Sequence, residues 1–152
     1  MILLCNLDEK RLGRDSKVKV RCFPGGTVED MFDHVKPIIK RSPAYIILHI
    51  GSNNAPNQDP RTIMDNILKL KLFIETKLPS CTVIVSTPII RQDHMKANAI
   101  ISRLNTLIHQ LNIPVVDNSN IDTQHLGKKG LHLNNRGTGR LALNLISYIR
   151  CL

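Results

Sequence analysis

Residues 44–50 read Ala44-Tyr45-Ile46-Ile47-Leu48-His49-Ile50 and run directly into Gly51-Ser52-Asn53-Asn54. Apart from His49, the first seven residues form a continuous apolar run, which is typical of a strand buried on both faces of a parallel sheet. The segment that follows has the composition of a loop. Open parallel sheets bind ligands beyond the carboxyl ends of their strands, so this junction is a candidate functional site.

Strand-like and helix-like segments alternate along the rest of the chain. Further strands are predicted at 17–23, 81–86 and 113–117, and the period-two pattern of the first of these favours an edge position. Helical spacing follows Thr27, the Asp59-Pro60 start signal, Ala97 and Arg136. The pattern predicts a three-layer α/β/α sandwich with a flavodoxin-like parallel sheet.

Length and composition bound the function. The chain has 152 residues, which fits a single domain over 1–152, and its formal net charge is +9. No apolar run approaches the length of a membrane span, and no signal peptide is recognisable, so we expect a cytoplasmic protein without membrane contact. The four cysteines lie far apart without a C-x-x-C pair, so neither a metal site nor a cofactor is predicted.

Three short motifs lie at the predicted carboxyl ends of strands or in the last long loop. They are Phe23-Pro24-Gly25-Gly26-Thr27, His49-Ile50-Gly51-Ser52-Asn53-Asn54 and Gly130-Leu131-His132-Leu133-Asn134. In that order they resemble the blocks of the SGNH (GDSL-type) hydrolase and esterase family. More narrowly, the chain resembles the esterase-like domains of retrotransposon-derived open reading frames of animals, from about Lys17 to Leu152.

The resemblance implies a role for each matched residue. Gly25 matches the glycine whose backbone N–H faces the oxyanion, and Asn53 matches the side-chain donor of the Gly-x-Asn-Asp block, which Gly51 opens. His132 matches the general base. Donors aimed at an oxyanion are worth about 10²–10³ in rate each, which explains why the family needs these residue types.

The chain departs from the family at the nucleophile. The Gly-Asp-Ser block, which ends the first, central strand in the family, is absent. Gly13-Arg14-Asp15-Ser16 is similar in letters but precedes a strand, so Ser16 is interpreted as a turn serine. We therefore expect either an N-terminally truncated copy or a reading frame whose true start lies upstream of Met1, with 1–16 as an irregular remnant of the first strand–helix unit. Either residues 2–5 fill the strand position, or the sheet is left imperfect.

The acid that orients the base is also absent. Three residues before His132 the chain has Lys129 in place of aspartate, and Asn54 replaces the aspartate of the third block. Asp117 and Asp122 are the candidate substitutes for the orienting acid, although residues of this type commonly cap loops. His49, in the buried strand, is predicted to be structural. The other four histidines carry no pattern and are predicted to lie on the surface: His34, His94, His109 and His125.

Each of these residues also has a purely structural interpretation. His132 is either the base or an inert histidine next to a helix start. Gly25-Gly26 forms either part of an oxyanion site or only a tight turn, and Asn53 and Asn54 either serve the site or cap a loop.

Two functions follow from these features. The first is an SGNH hydrolase-type esterase-like domain, acting on a small ester in intact relatives and catalytically impaired here. The alternative is a non-catalytic, retroelement-derived module that binds protein or, weakly and non-specifically, nucleic acid, which the charge motivates. The oligomeric state is not predicted.

Overall fold

A five-stranded parallel sheet forms the centre of the computed structural model, which describes residues 2–3, 12 and 18–152. Its strands, in chain order, are β1 (Ile2–Leu3), β2 (Val20–Arg21), β3 (Tyr45–His49), β4 (Thr82–Ser86) and β5 (Val115–Val116). Their order across the sheet is β2-β1-β3-β4-β5, and every pair of neighbouring strands is parallel. All their carboxyl ends therefore meet at one edge, where the candidate motifs begin.

The central strand position, which the sequence analysis left open, is occupied by β1, between β2 and β3. Ile2 lies opposite Val20 and Ile47, and Leu3 lies opposite Arg21 and Leu48. Residues from the predicted 2–5 segment thus occupy this strand position, and the alternative of an imperfect sheet is wrong. The edge position of β2 is confirmed, although the strand is shorter than the pattern predicted. Ser16 lies outside the described residues.

Side-chain alternation on the two long strands builds a core on each side of the sheet. Ile46 and Leu48 of β3 and Val83 and Val85 of β4 point into one core, whereas Ile47 and Ile84 point into the other. All six are almost completely buried. A strand that is buried on both faces needs helices on both sides, which gives the three layers.

The helices are α1 (Met31–His34), α2 (Lys36–Ile39), α3 (Pro60–Lys77), α4 (Met95–His109) and α5 (Asn135–Ile149), with a short 3₁₀ helix at Thr123–His125. The first four helices contribute to the first core, and α5 packs on the second through Leu141 and Leu145, beside the buried Leu12. Among the described residues, no helix combines the length and the apolar character needed to cross a bilayer.

Local sequence signals explain where the helices begin. Asp59 caps α3 by accepting hydrogen bonds from the N–H groups of Arg61 and Thr62, and Pro60 occupies the first helical position. The helix predicted after Thr27 is broken at Val35 into α1 and α2. Pro37 lies in the first turn of α2, where its lack of a backbone N–H costs no intrahelical hydrogen bond.

Two glycines of α5 test how tightly this helix is seated. A methyl group on Gly137 would lie 2.2 Å from the His125 carbonyl oxygen and 2.8 Å from Leu133, whereas one on Gly139 would have no described atom outside its own helix within 4 Å. We expect Gly137→Ala to lower the free energy of unfolding by about 1–3 kcal/mol through overpacking. Gly139→Ala should leave it unchanged or raise it by up to about 1 kcal/mol, because alanine favours helix. Urea denaturation measures both, and equal effects would contradict this seating of α5.

Candidate functional site

A cavity of about 470 Å³ opens at the carboxyl edge of the sheet. Residues from all three motifs line it: Gly25 and Gly26 from the first, His49, Gly51 and Asn53 from the second, and His132 from the third. Two other predicted site residues, Asn54 and Asp117, are not in its lining. The structure thus brings together Gly25, Gly51, Asn53 and His132, which are separated by up to 107 positions (132 − 25) in the sequence.

The turn after β2 presents the Gly25 backbone to the cavity. Gly26 N–H donates to the Phe23 carbonyl over 3.0 Å, with Pro24 and Gly25 between them and φ of Gly25 at 74°. Proline followed by a glycine with positive φ is the pattern of a type II turn. The Gly25 N–H makes no hydrogen bond among the described residues, and Gly25 lines the cavity. The tight-turn and oxyanion interpretations of this motif are therefore compatible.

Asn53 is tied to that turn. Its Nδ2 donates to the Gly26 carbonyl oxygen over 2.8 Å. An amide nitrogen has two N–H groups, so one remains for a ligand. The hydrogen bond ties the loop after β3 to the turn that contains Gly25, and both Asn53 and Gly25 line the cavity.

Asn54 has a structural role rather than a place at the cavity. Its Oδ1 accepts from Val28 N–H over 3.0 Å, and its Nδ2 donates to Glu29 Oε2 over 2.7 Å and to Gln58 Oε1 over 3.0 Å. An aspartate here would still accept from Val28 but would face the Glu29 carboxylate without a donor. Burial raises the pKa of Glu29, but hydrogen bonds from Gln58, its own backbone and Asn54 outweigh this and lower it overall.

His132 lies exposed on a loop that is anchored on two sides. Its carbonyl oxygen accepts from Gly127 N–H over 2.7 Å, and Gln92 N–H donates to the Gly130 carbonyl over 2.7 Å. Gly130 has φ of 66° and packs against Gln92 so closely that a methyl group would lie 2.6 Å from its Cβ. The His132 ring makes no hydrogen bond within the described part of the chain, and Lys129 is exposed.

Neither candidate substitute acid contacts His132. Asp117 accepts from the backbone and hydroxyl of Ser119 and lies 3.3 Å from His109. Burial raises its pKa, but the Ser119 hydrogen bonds and His109 outweigh this and lower it. Asp122 caps the 3₁₀ helix and lies 2.8 Å from Nδ1 of His125, which is buried, so the surface prediction for His125 is wrong.

Arg91 and His49 also line the cavity, although no sequence motif pointed to either as a site residue. Arg91 donates to both carboxylate oxygens of Asp93, over 2.9 and 2.6 Å, and to the Ser52 carbonyl over 3.1 Å. The Asp93 carboxylate raises the pKa of Arg91, so its charge is both permanent and paired. His49 also lines the cavity, with its Nδ1 3.0 Å from Ser86 Oγ.

This Ser86–His49 pair is not a nucleophile and base at the cavity. Ser86 is completely buried and is not in the cavity lining, so its hydroxyl cannot reach a substrate there. Ser52 lines the cavity, but no histidine ring hydrogen bonds to it within the described residues. The site therefore holds donors and an imidazole without an activated serine among residues 18–152.

Solved structures share this architecture. A member of the lipolytic protein G-D-S-L family from Veillonella parvula DSM 2008 is 17% identical, with a TM-score of 0.76 over 97% of this chain and 92% of that one. A putative acylhydrolase from Bacteroides fragilis NCTC 9343 is 16% identical, with a TM-score of 0.76 over 92% and 77%. The lipase/acylhydrolase from Enterococcus faecalis is 20% identical, with a TM-score of 0.65 over 88% and 77%.

These likenesses establish the SGNH hydrolase fold and confirm the predicted fold class. No protein-family model and no curated protein matches the chain.

Asn54→Asp tests the cross-link between the first two loops. We expect this substitution to lower the free energy of unfolding by about 2 kcal/mol at pH 7, because Glu29 and Gln58 lose a buried donor and two carboxylates face each other. Repulsion raises the folded-state pKa of the carboxyl pair, so the loss should shrink as the pH falls towards 4.

Asn57→Asp is the matched control, because Asn57 is exposed and its side chain makes no hydrogen bond within the described residues. Urea denaturation at both pH values measures the two variants. Equal stabilities of Asn54→Asp and Asn57→Asp at pH 7 would contradict the role of Asn54.

Proposed function

We propose that this chain is an SGNH hydrolase-type esterase-like domain that keeps the ester-binding part of the site and is impaired in serine-dependent hydrolysis. The observation that carries the proposal is the convergence of Gly25, Asn53 and His132 on one cavity at the carboxyl edge of the sheet. A cavity of about 470 Å³ is within the range of small-molecule sites, which suits a small ester.

The binding part of the site follows from hydrogen-bond chemistry. In hydrolysis by intact relatives, an ester carbonyl becomes an oxyanion when a serine attacks it, and donors already in place stabilise that charge. The Gly25 N–H and the remaining Asn53 N–H are the donors assigned to this task. His132 is assigned as the base on resemblance.

The impairment follows from what is absent around the base and the nucleophile. Among the described residues no carboxylate contacts His132, and Lys129 is at the position of the orienting acid. After β1 the sequence continues Leu4-Cys5-Asn6-Leu7, without a serine. A serine hydroxyl is activated only by an adjacent base that is itself oriented, so the coupled proton transfers of the family have no complete set of residues here.

Several narrower predictions from the sequence belong to this proposal. They are the origin from a retrotransposon-derived reading frame, the N-terminal truncation, the single domain over 1–152 and the cytoplasmic location. The oligomeric state forms no part of it.

Hydrolysis of a short-chain nitrophenyl ester tests the impairment. We expect turnover by the full chain to be no faster than that of His132→Ala, and a serine-directed phosphonate to have no effect, because no serine is activated. His109→Ala is the matched control, since His109 is exposed on α4 and pairs with Asp117 away from the cavity. Turnover that His132→Ala and the phosphonate abolish, but His109→Ala does not, would contradict the impairment.

A second candidate, the non-catalytic module, is favoured by the charge around the His132 loop. From residue 123 to the last residue the sequence has no Asp or Glu, but it contains Lys128, Lys129, Arg136, Arg140 and Arg150. All five are exposed, and the first two lie in the same loop as His132. Such a surface attracts phosphate backbones.

Retention on immobilised single-stranded RNA tests this candidate. If the His132 loop binds phosphates, Lys128→Glu/Lys129→Glu should elute at clearly lower salt than Lys69→Glu/Lys77→Glu, which makes the same change in net charge on exposed positions of α3. Elution of both variants at the same salt would show only the effect of net charge and remove the candidate.

A further inference from the structure

Polar side chains on three neighbouring strands form a row at the carboxyl edge of the sheet. His49 ends β3 and lies opposite Ser86, which ends β4. Asn118 follows β5 and donates to Ser86 Oγ over 2.9 Å. Because side chains alternate along a strand, these three residues are on the face that packs on α5, and Asn144 of α5 donates to Asn118 Oδ1 over 3.0 Å.

The direction of each hydrogen bond in this row is fixed by a backbone carbonyl. Asn118 Nδ2 lies 2.7 Å from the Thr87 carbonyl oxygen, which can only accept, so this side of the amide must be the nitrogen. Its second N–H then donates to Ser86 Oγ. The buried Ser86 O–H has no acceptor among the described residues other than His49 Nδ1, 3.0 Å away, so it donates to that nitrogen rather than remaining unpaired.

This chain of donors fixes the tautomer of His49. A nitrogen that accepts a hydrogen bond carries no proton, so the proton of the neutral imidazole must be on Nε2. Nε2 makes no hydrogen bond within the described residues, and the ring lines the cavity. Burial lowers the pKa of His49 to about 4, so the ring is neutral at pH 7 and its Nε2–H is a donor rather than a base.

We propose that His49 is a ligand-binding residue whose Nε2–H donates to an oxygen of a small carboxylate or ester in the cavity. This inference rests on the proposed function, since it takes the same cavity as the binding site. It gives the two histidines of the cavity different roles, because His49 keeps its Nε2 proton as a donor, whereas His132 is the residue assigned as base. The ligand class follows from the donor, which needs an oxygen acceptor.

The tautomer is testable without any ligand. A long-range ¹H–¹⁵N correlation spectrum of the labelled full chain at pH 7 distinguishes a protonated from an unprotonated ring nitrogen, and the signals that His49→Asn removes are those of His49. We expect a protonated Nε2 and an unprotonated Nδ1. A protonated Nδ1, alone or together with Nε2, would overturn the inference.

Acetate is the probe for the ligand role of His49. Its binding is measured by the shifts of the Gly25 and Gly51 amide signals. His49→Asn keeps a polar group near Ser86 but is too short to replace the Nε2 donor, whereas His49→Gln restores an amide N–H near that position. We expect His49→Asn to bind acetate at least about tenfold more weakly than the unmodified chain, and His49→Gln to recover most of the affinity. Circular dichroism confirms that both variants are folded.

The outcomes separate this inference from the proposed function. If the unmodified chain and His49→Asn bind acetate equally well, His49 has no ligand role and the esterase-like cavity stands. If acetate shifts no cavity signal in the unmodified chain, the proposed function fails and the ligand role of His49 fails with it.

Discussion

The site depends on the hydrogen bonds that two adjacent asparagines make to the loop after β2. Asn53 holds the Gly26 carbonyl, and Asn54 holds Val28 N–H and the Glu29 carboxylate. Together with the hydrogen bond from Gln58 to Glu29, these bonds fix the spacing between the loop after β2 and the loop after β3. Donors to an oxyanion must be in place before charge develops in a transition state, so the proposed function depends on this cross-link.

The imidazole side of the cavity is held by a different set of contacts. Asn134 caps α5 by accepting from Gly137 N–H, and it also donates to the carbonyls of Gln124 and Leu126. Gly137 lets α5 approach the His125 carbonyl, and the Gly130 backbone docks on Gln92. These hydrogen bonds and close backbone contacts position the His132 loop, whereas the His132 ring has no hydrogen-bond partner among the described residues.

The fold was predictable because its signals are local. The apolar run at 44–50, the Asp59-Pro60 cap and the spacing of helix residues each act within a few positions. The sequence alone does not decide whether Ile2–Leu3 forms the central strand. Two residues are too few to show a periodic pattern, and they form a strand only by pairing with β2 and β3. The motifs Gly25, Gly51, Asn53 and His132 came from resemblance to a family. Arg91 and the row from His49 to Asn118 depend on contacts between distant residues, for which one sequence offers no pattern.

The central claim is that Gly25, Asn53 and His132 surround one ligand site. A crystal structure of the full chain with a short-chain carboxylate such as butyrate bound tests this most directly. We expect a carboxylate oxygen within hydrogen-bond distance of the Gly25 N–H and the Asn53 side-chain amide, with the His132 loop at the same cavity. A carboxylate bound elsewhere on the protein, or Gly25 and His132 on opposite sides of the molecule, would contradict it.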